Sequence, residues 1–195
     1  MMQHDRSHAA LFLDRDGTII EDVGCVREVS QVRFFPFTVP TLKKLGEYYE
    51  LFIVTSQPGV SQSIVTMEEV ETVNDFVVAT LAERGIAIRA VYVCPHQTSD
   101  DCRCKKPKPH FLYQAEADFG LDLSSSFVVG DHPSDVRLAA NAGAQGLYVL
   151  TGHGVRHLGE LLDDRWVFES LAEAGVYVLA TRSVEKTPED GLSPF

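Results

Sequence analysis

Long apolar runs are missing from this 195-residue chain. A membrane-spanning helix needs about 20 mostly apolar residues, and no stretch here approaches that length. Residues 1–8 are polar and too short for a signal peptide, and the apolar run behind them spans only residues 9–13. A cytoplasmic protein without a membrane anchor is therefore expected. Positive charge is also in short supply. Seventeen Lys and Arg face 28 Asp and Glu, for a formal net charge of −11. Such a balance argues against non-specific binding to nucleic acid or to an anionic membrane surface. It leaves room for an anionic substrate wherever local cations concentrate. Cysteine is sparse, with four in all, and Cys94, Cys102 and Cys104 stand close together near His96. That is metal-ligand spacing rather than a disulfide framework, and it agrees with a reducing compartment. Internal repeats, low-complexity tracts and interdomain linkers are absent from the sequence. The length suits one domain with a substantial core. Hydrophobic content of 45% and charged content of 23% are those of a soluble globular protein.

What is present is organised around Leu11-Phe12-Leu13-Asp14-Arg15-Asp16-Gly17-Thr18. Residues 9–13 read as a buried strand. The strand stops at two acids spaced i, i+2. An extended backbone across that step puts both carboxylates on one side and turns Arg15 away. Gly17 then allows a sharp turn. Similar breaks recur downstream. The strand at 51–54 runs into Thr55-Ser56-Gln57, the strand at 88–93 runs into Cys94, and the strand at 126–130 runs into Asp131. Further strands are expected at 146–150 and 166–168. Between them lie helical patterns at 39–49 (Leu42, Leu45, Tyr49), at 64–84 with Ser63 as cap and Val70, Val73, Val77 and Leu81 buried, and from Pro109 with Phe111, Leu112, Ala115 and Phe119 buried. Shorter helices are expected at 134–142, 155–162 and 171–180. Residues 21–37 read as a small hairpin or flap beside the acid pair, with Cys25 as a small packing residue. The tail from Ser183 should fray. Strands that are apolar throughout and alternate with helices mean an α/β fold: one doubly wound parallel sheet covered on both faces. The domain is expected over 1–182, with 183–195 as its tail.

Connections in such a sheet bring the strand ends to one edge. Asp14, Asp16 and Asp131 gathered there would repel one another, by roughly 4 kcal/mol for two charges about 4 Å apart at an effective dielectric near 20. The site then needs a cation or raised pKa values. Hard carboxylate ligands point to Mg²⁺. A second cluster, Cys94-Pro95-His96 and then Cys102-Arg103-Cys104, offers three thiolates and one imidazole for a tetrahedral zinc. Four protein ligands leave no open position, so the metal would be structural. It would order a loop with few apolar residues and fix Lys106 just beyond the last ligand. A Cys102–Cys104 or Cys94–Cys102 disulfide, or free thiols, are the alternatives. His132 could line the mouth of the site or be a polar loop residue.

Taken in order, these motifs resemble those of the haloacid dehalogenase-like hydrolases, over residues 9–150. Asp14-Arg15-Asp16-Gly17-Thr18 is similar to the family's DxDGT nucleophile motif, Thr55 to its second motif, Lys106 of Lys105-Lys106-Pro107 to its third, and Gly130-Asp131-His132-Pro133-Ser134-Asp135 to its acidic fourth. The cysteine block resembles the capless, zinc-loop branch whose members hydrolyse heptose 1,7-bisphosphate or histidinol phosphate. The resemblance implies a Mg²⁺-dependent phosphatase acting on a small phosphorylated sugar, with heptose 1,7-bisphosphate first, histidinol phosphate as the alternative, and a silent sugar-phosphate sensor as a reading from another class. It implies Asp14 as nucleophile, Asp16 as general acid and base, and Asp14, Asp131 and the Asp16 backbone carbonyl as Mg²⁺ ligands. Thr55 and Lys106 would hold the phosphoryl oxygens. Thr18, Ser56, Gln57, Lys105 and Asp135 are the candidate substrate-binding residues, with Asp135 orienting Lys106 or simply opening a helix. A monomer is expected. Gln62 and Lys105 stand where the branch usually carries arginines, which weakens the expectation of a second, distal phosphate.

Overall fold

β1, Ala10–Leu13, is buried at every position and lies in the middle of the molecule. The computed structural model describes residues 8–185. Its other strands are β2 (Glu50–Ser56), β3 (Ile88–Cys94), β4 (Phe127–Gly130), β5 (Gln145–Val149) and β6 (Val167–Phe168). All six form one parallel sheet in the order β3-β2-β1-β4-β5-β6. The helices are α1 (Thr38–Leu45), α2 (Met67–Ala82), α3 (His110–Phe119), α4 (Pro133–Ala142), α5 (Gly154–His157) and α6 (Leu171–Glu185).

Strand alternation divides the core into two layers. Leu11 and Leu13 pack with α1, α2 and α6 through Leu42, Leu45, Val73, Val77, Ala174 and Val178. Ala10 and Phe12 pack with α3 and α4 through Leu112, Ala115, Leu138 and Ala139. This is the doubly wound parallel sheet expected from the apolar strands. The chain leaves β1 towards β2 and β3, then returns to β4 on the other side of β1. The carboxyl ends of β1 and β4 thus form the topological switch point, where open α/β sheets bind ligands. Among the described residues no helix is long and apolar enough to cross a membrane.

Several local expectations need correction. Residues 21–37 form no hairpin. They hold a 3-10 turn at Val29–Gln31 and a single antiparallel bridge, Ile20 to Phe34. α1 stops at Leu45, because Gly46 ends it, and Tyr49 is buried outside the helix. α2 starts later than expected. Ser63 has a positive φ of 56° and does not cap it. Thr66 does, accepting from the Glu69 N–H while the Glu69 carboxylate accepts from the Thr66 N–H, a reciprocal capping box. Residues 155–162 hold only the short α5 and a 3-10 turn, Leu158–Glu160. α6, Leu171–Glu185, is longer than the helix expected at 171–180. Residues 186–195 of the expected tail and residues 1–7 of the polar start lie outside the described residues.

Candidate active site

Asp14 continues straight out of β1, its N–H donating to Val129 O of β4 at 2.9 Å. The backbone then folds back on itself. The N–H groups of Ile19 and Ile20 both donate to Arg15 O, at 3.0 and 3.1 Å. Because the chain turns here instead of staying extended, Arg15 does not point away as expected. It is fully buried and its guanidinium lies on Asp16, with Nη2 to Oδ2 at 2.8 Å. Gly17 takes a positive φ of 82°, and a Cβ there would sit 2.1 Å from Asp131 Oδ2. Gly152, arriving from the loop after β5, approaches the same oxygen, since its Cβ would lie 2.2 Å away. Only glycine leaves space for the Asp131 carboxylate at both places.

Asp131, at the end of β4, is buried and accepts the His153 N–H at 2.7 Å. Lys106 reaches the cluster from the loop after β3. Its ammonium lies 2.5 Å from Asp14 Oδ1 and 2.6 Å from Asp135 Oδ1. Asp135 is buried in the first turn of α4, where its other oxygen accepts the His132 N–H. Asp14 and Asp135 therefore share one ammonium, and Asp131 lies close enough to feel its charge and that of Asp14. Burial pushes Asp14 up to about 7, with the Asp135 and Asp16 charges adding and Lys106 opposing. Burial and the charge of Asp14 push Asp131 up to about 8. Lys106 is desolvated too, but its two carboxylates outweigh that and raise its pKa. A surplus of hard anionic oxygen at the switch point fits a divalent cation such as Mg²⁺.

Thr55 is buried at the end of β2, and its Oγ1 accepts from Gln57 Nε2 at 2.9 Å. The same Gln57 amide donates to Asp16 Oδ2 at 2.7 Å. Asp14, Asp16, Thr55, Ser56, Gln57, Lys105, Lys106, Asp131, His132 and Asp135 all line one cleft of about 590 Å³. Thr18 is not brought there. It is fully buried, and its hydroxyl has no hydrogen-bond partner among the described residues. Cys25, expected as a packing residue, is exposed and lines the cleft.

Sequence reasoning missed Asp22, Arg137 and His153, which also line the cleft. His153 Nδ1 lies 3.1 Å from Asp22 Oδ2, so two loops distant in sequence meet beside Asp131. The sequence does not arrange His132, His153 and His157 as a metal-ligand set. They are nevertheless neighbours, with ring centroids 4.8 Å apart for His132 and His157 and 6.1 Å for His153 and His157. No local spacing signals these contacts, because each depends on where loops from different strands end.

The cysteine block closes on itself. Cys104 Sγ lies 3.4 Å from Cys94 Sγ, 3.6 Å from Cys102 Sγ and 3.4 Å from His96 Nδ1. Cys94 Sγ lies 3.7 Å from Cys102 Sγ and 3.8 Å from His96 Nδ1. A tetrahedral ion with metal–sulfur bonds of about 2.3 Å and a metal–nitrogen bond of about 2.0 Å requires edges of about 3.8 and 3.5 Å. The four donor atoms thus sit at the corners such an ion needs, and none of the sulfurs is in a disulfide. Burial and the two adjacent sulfurs push the Cys104 thiol up to about 12, a charge-poor setting that a bound cation reverses. The Lys105 N–H donates to Cys102 Sγ at 3.3 Å, which ties the loop to the backbone directly before Lys106.

Comparison with known proteins gives these features a setting. Residues 103–174 match the family model described as "HAD-hyrolase-like". The chain is 36% identical over 178 residues to the D-glycero-beta-D-manno-heptose-1,7-bisphosphate 7-phosphatase of Yersinia pestis, covering 86% of this chain and 94% of that one. It is 34% identical over 180 residues to the enzyme of the same name from Escherichia coli K12, covering 86% and 92%. Its fold is similar to the crystal structure of the D,D-heptose 1,7-bisphosphate phosphatase from B. bronchiseptica complexed with magnesium and phosphate. There the TM-score is 0.81 at 26% identity, over 89% of this chain and 99% of that one. Identity above a third, spread over nearly the whole length of these relatives, shows the family. This chain belongs to the haloacid dehalogenase-like hydrolases, among relatives named as phosphatases.

Proposed function

We propose that this chain is a Mg²⁺-dependent phosphomonoester hydrolase whose substrate is a phosphorylated sugar of the heptose 1,7-bisphosphate class, cleaved at position 7. The observation that carries the reading is the meeting of Asp14, Lys106, Asp135, Asp131 and Thr55 at one cleft, in a chain whose relatives are named for that reaction. Mg²⁺ would be held by Asp14, Asp131 and the Asp16 backbone carbonyl, and when bound it offsets charge on the phosphoryl oxygens. Asp14 attacks phosphorus and forms an aspartyl phosphate, so one difficult displacement becomes two easier ones. Asp16 gives a proton to the departing sugar oxygen, then takes one from the water that hydrolyses the intermediate. Lys106 holds Asp14 in place and, with Thr55, balances charge that builds on the transferring group. Asp135 fixes Lys106 from behind. Ser56, Gln57, Lys105 and Arg137, which all line the cleft, are the side chains available to meet the rest of the sugar. In the cysteine loop the metal would be zinc, held by Cys94, His96, Cys102 and Cys104, ordering the segment that delivers Lys106.

The test is phosphate release with Mg²⁺ from heptose 1,7-bisphosphate, heptose monophosphates, other sugar phosphates and histidinol phosphate. The reading expects the bisphosphate to exceed the others in kcat/KM by at least about tenfold, a discrimination well within reach of one polar subsite. Release from none of them overturns the hydrolase reading. A preference for histidinol phosphate overturns the substrate assignment alone.

A further inference from the structure

Arg15 sits between the two acids of the motif, yet it is among the largest fully buried side chains of the chain. A buried guanidinium is costly unless it is paired and hydrogen-bonded. Here every nitrogen has work. Nη2 donates to Asp16 Oδ2 at 2.8 Å. Nε lies 3.1 Å from Asp16 Oδ1 and 3.2 Å from Oδ2. Nη1 donates to Asn74 Oδ1 at 2.6 Å. Asn74 is itself anomalous. It lies on the buried face of α2 with Val70, Val73 and Val77, and is only 5% exposed. An amide on such a face needs a partner, and Arg15 supplies it from 59 residues away in sequence.

We propose that Asn74 and Arg15 form a positioning relay that aims the Asp16 carboxylate for proton transfer. Asn74 fixes the guanidinium from α2, and the guanidinium grips the Oδ2 side of Asp16. Gln57 Nε2 donates to the same oxygen at 2.7 Å. Oδ2 is thereby held by Arg15 and Gln57 together, and Oδ1, with Arg15 Nε alone, is the less engaged oxygen. The transferred proton travels on Oδ1. It passes to the departing oxygen as the phosphorus–oxygen bond breaks, and is replaced by one from the attacking water. Neither Arg15 nor Asn74 lines the cleft, so neither touches substrate. The relay rests on the hydrolase reading and on Asp16 as its acid and base.

Leaving-group dependence separates this role from a merely structural one. A sugar alkoxide leaves poorly without a proton, whereas p-nitrophenolate leaves without one. The variants N74L, R15M and N74D are compared with wild type on a sugar phosphate and on p-nitrophenyl phosphate, in saturating Mg²⁺, with a melting temperature for each. N74L and R15M should lose at least about 100-fold in kcat/KM on the sugar phosphate and less than about 10-fold on the aryl ester, since kcat/KM reports the steps through leaving-group departure and general acid catalysis there contributes about 10² to 10⁴. Hydrolysis of the aspartyl phosphate, which Asp16 assists and which is common to both substrates, should slow alike, so kcat is not the discriminating quantity. N74D keeps an acceptor for Nη1 and should restore the ratio of the two kcat/KM values to within about threefold of wild type. Parallel losses in kcat/KM on both substrates, or no loss in a folded N74L, would overturn the relay. Should R15M fail to fold, N74L, a leucine on an apolar helix face, decides the matter. A wild type inactive on both substrates would instead defeat the hydrolase reading, so the two failures are distinguishable.

Discussion

Replacing Lys106 with methionine removes the one ammonium between Asp14 and Asp135. Its Nζ lies 2.5 Å from one carboxylate and 2.6 Å from the other. The Lys106 side chain is 6% exposed and that of Asp135 only 2%, so solvent screens the trio poorly. Breaking a buried pair by deleting one partner costs about 3–5 kcal/mol, mostly the penalty of a charge left alone. For a chain of this size each kcal/mol moves Tm by about 2–4 °C, so K106M should melt about 6–20 °C lower at pH 8 without added Mg²⁺. The loss should shrink on acidification. Lys106 holds the Asp14 pKa down against burial, so its removal pushes that pKa above about 7. A carboxyl group whose pKa is raised on folding binds more protons folded than unfolded, and stability falls as pH climbs through the interval between the two values. Towards pH 5 the stranded Asp14 carboxylate takes up a proton, and the gap between variant and wild type should narrow. The double variant K106M/D135L removes both members of the inner pair and should recover part of the loss. Thermal unfolding followed by circular dichroism at pH 5 and pH 8 reads all of this. A K106M protein within about 1 kcal/mol of wild type at pH 8, or a deficit that does not change with pH, would refute the reasoning, because that is how an exposed pair behaves.

In the metal-free wild type, Asp14 at about 7 and Asp131 at about 8 should make stability fall between about pH 4 and pH 8. Mg²⁺ binding should displace those protons, so its affinity should rise over the same range. Calorimetric titration near pH 6 in buffers of different ionisation enthalpy should detect the protons released, and a pH-independent affinity would contradict the charge balance drawn here. Gly17→Ala places a methyl 2.1 Å from Asp131 Oδ2 at a φ of 82°. Moving a ligand carboxylate by about 1 Å should lower kcat/KM at least about 100-fold in steady-state assays, and an active G17A would show that Asp131 is not needed where it stands. Cys104→Ser removes the sulfur nearest to the other donors of its cluster. Metal analysis should find about one zinc per wild-type chain and none in the variant, with Tm and phosphatase activity lost together. Zinc-free wild type with full activity would separate that loop from Lys106.

Residues whose role depends on their own strand were legible in the sequence. Asp14 and Asp131 end apolar strands, and parallel connectivity alone carries both to the switch point. The cysteine cluster was legible for a similar reason, since its ligands span only residues 94–104. Arg15 was misread because alternation along an extended strand was carried one residue too far, into a turn closed by the Ile19 and Ile20 N–H groups. Asn74 interrupts the apolar face of α2 and carries no local signal of its role, which rests on its contact with Arg15. The start of α2 was misplaced at Ser63 although Thr66 and Glu69 spell a capping box, the more specific signal. The meeting of Asp22 with His153 had no sequence signal, because it arises from two loops that approach only once the sheet has formed.

The account stands on Asp14 as the atom that receives the phosphoryl group. Asp14→Asn keeps the shape and removes the nucleophilic charge, so it should fold, keep its zinc and release phosphate at no more than about 10⁻³ of the wild-type rate under saturating Mg²⁺. A D14N protein turning over within tenfold of wild type would contradict the assignment.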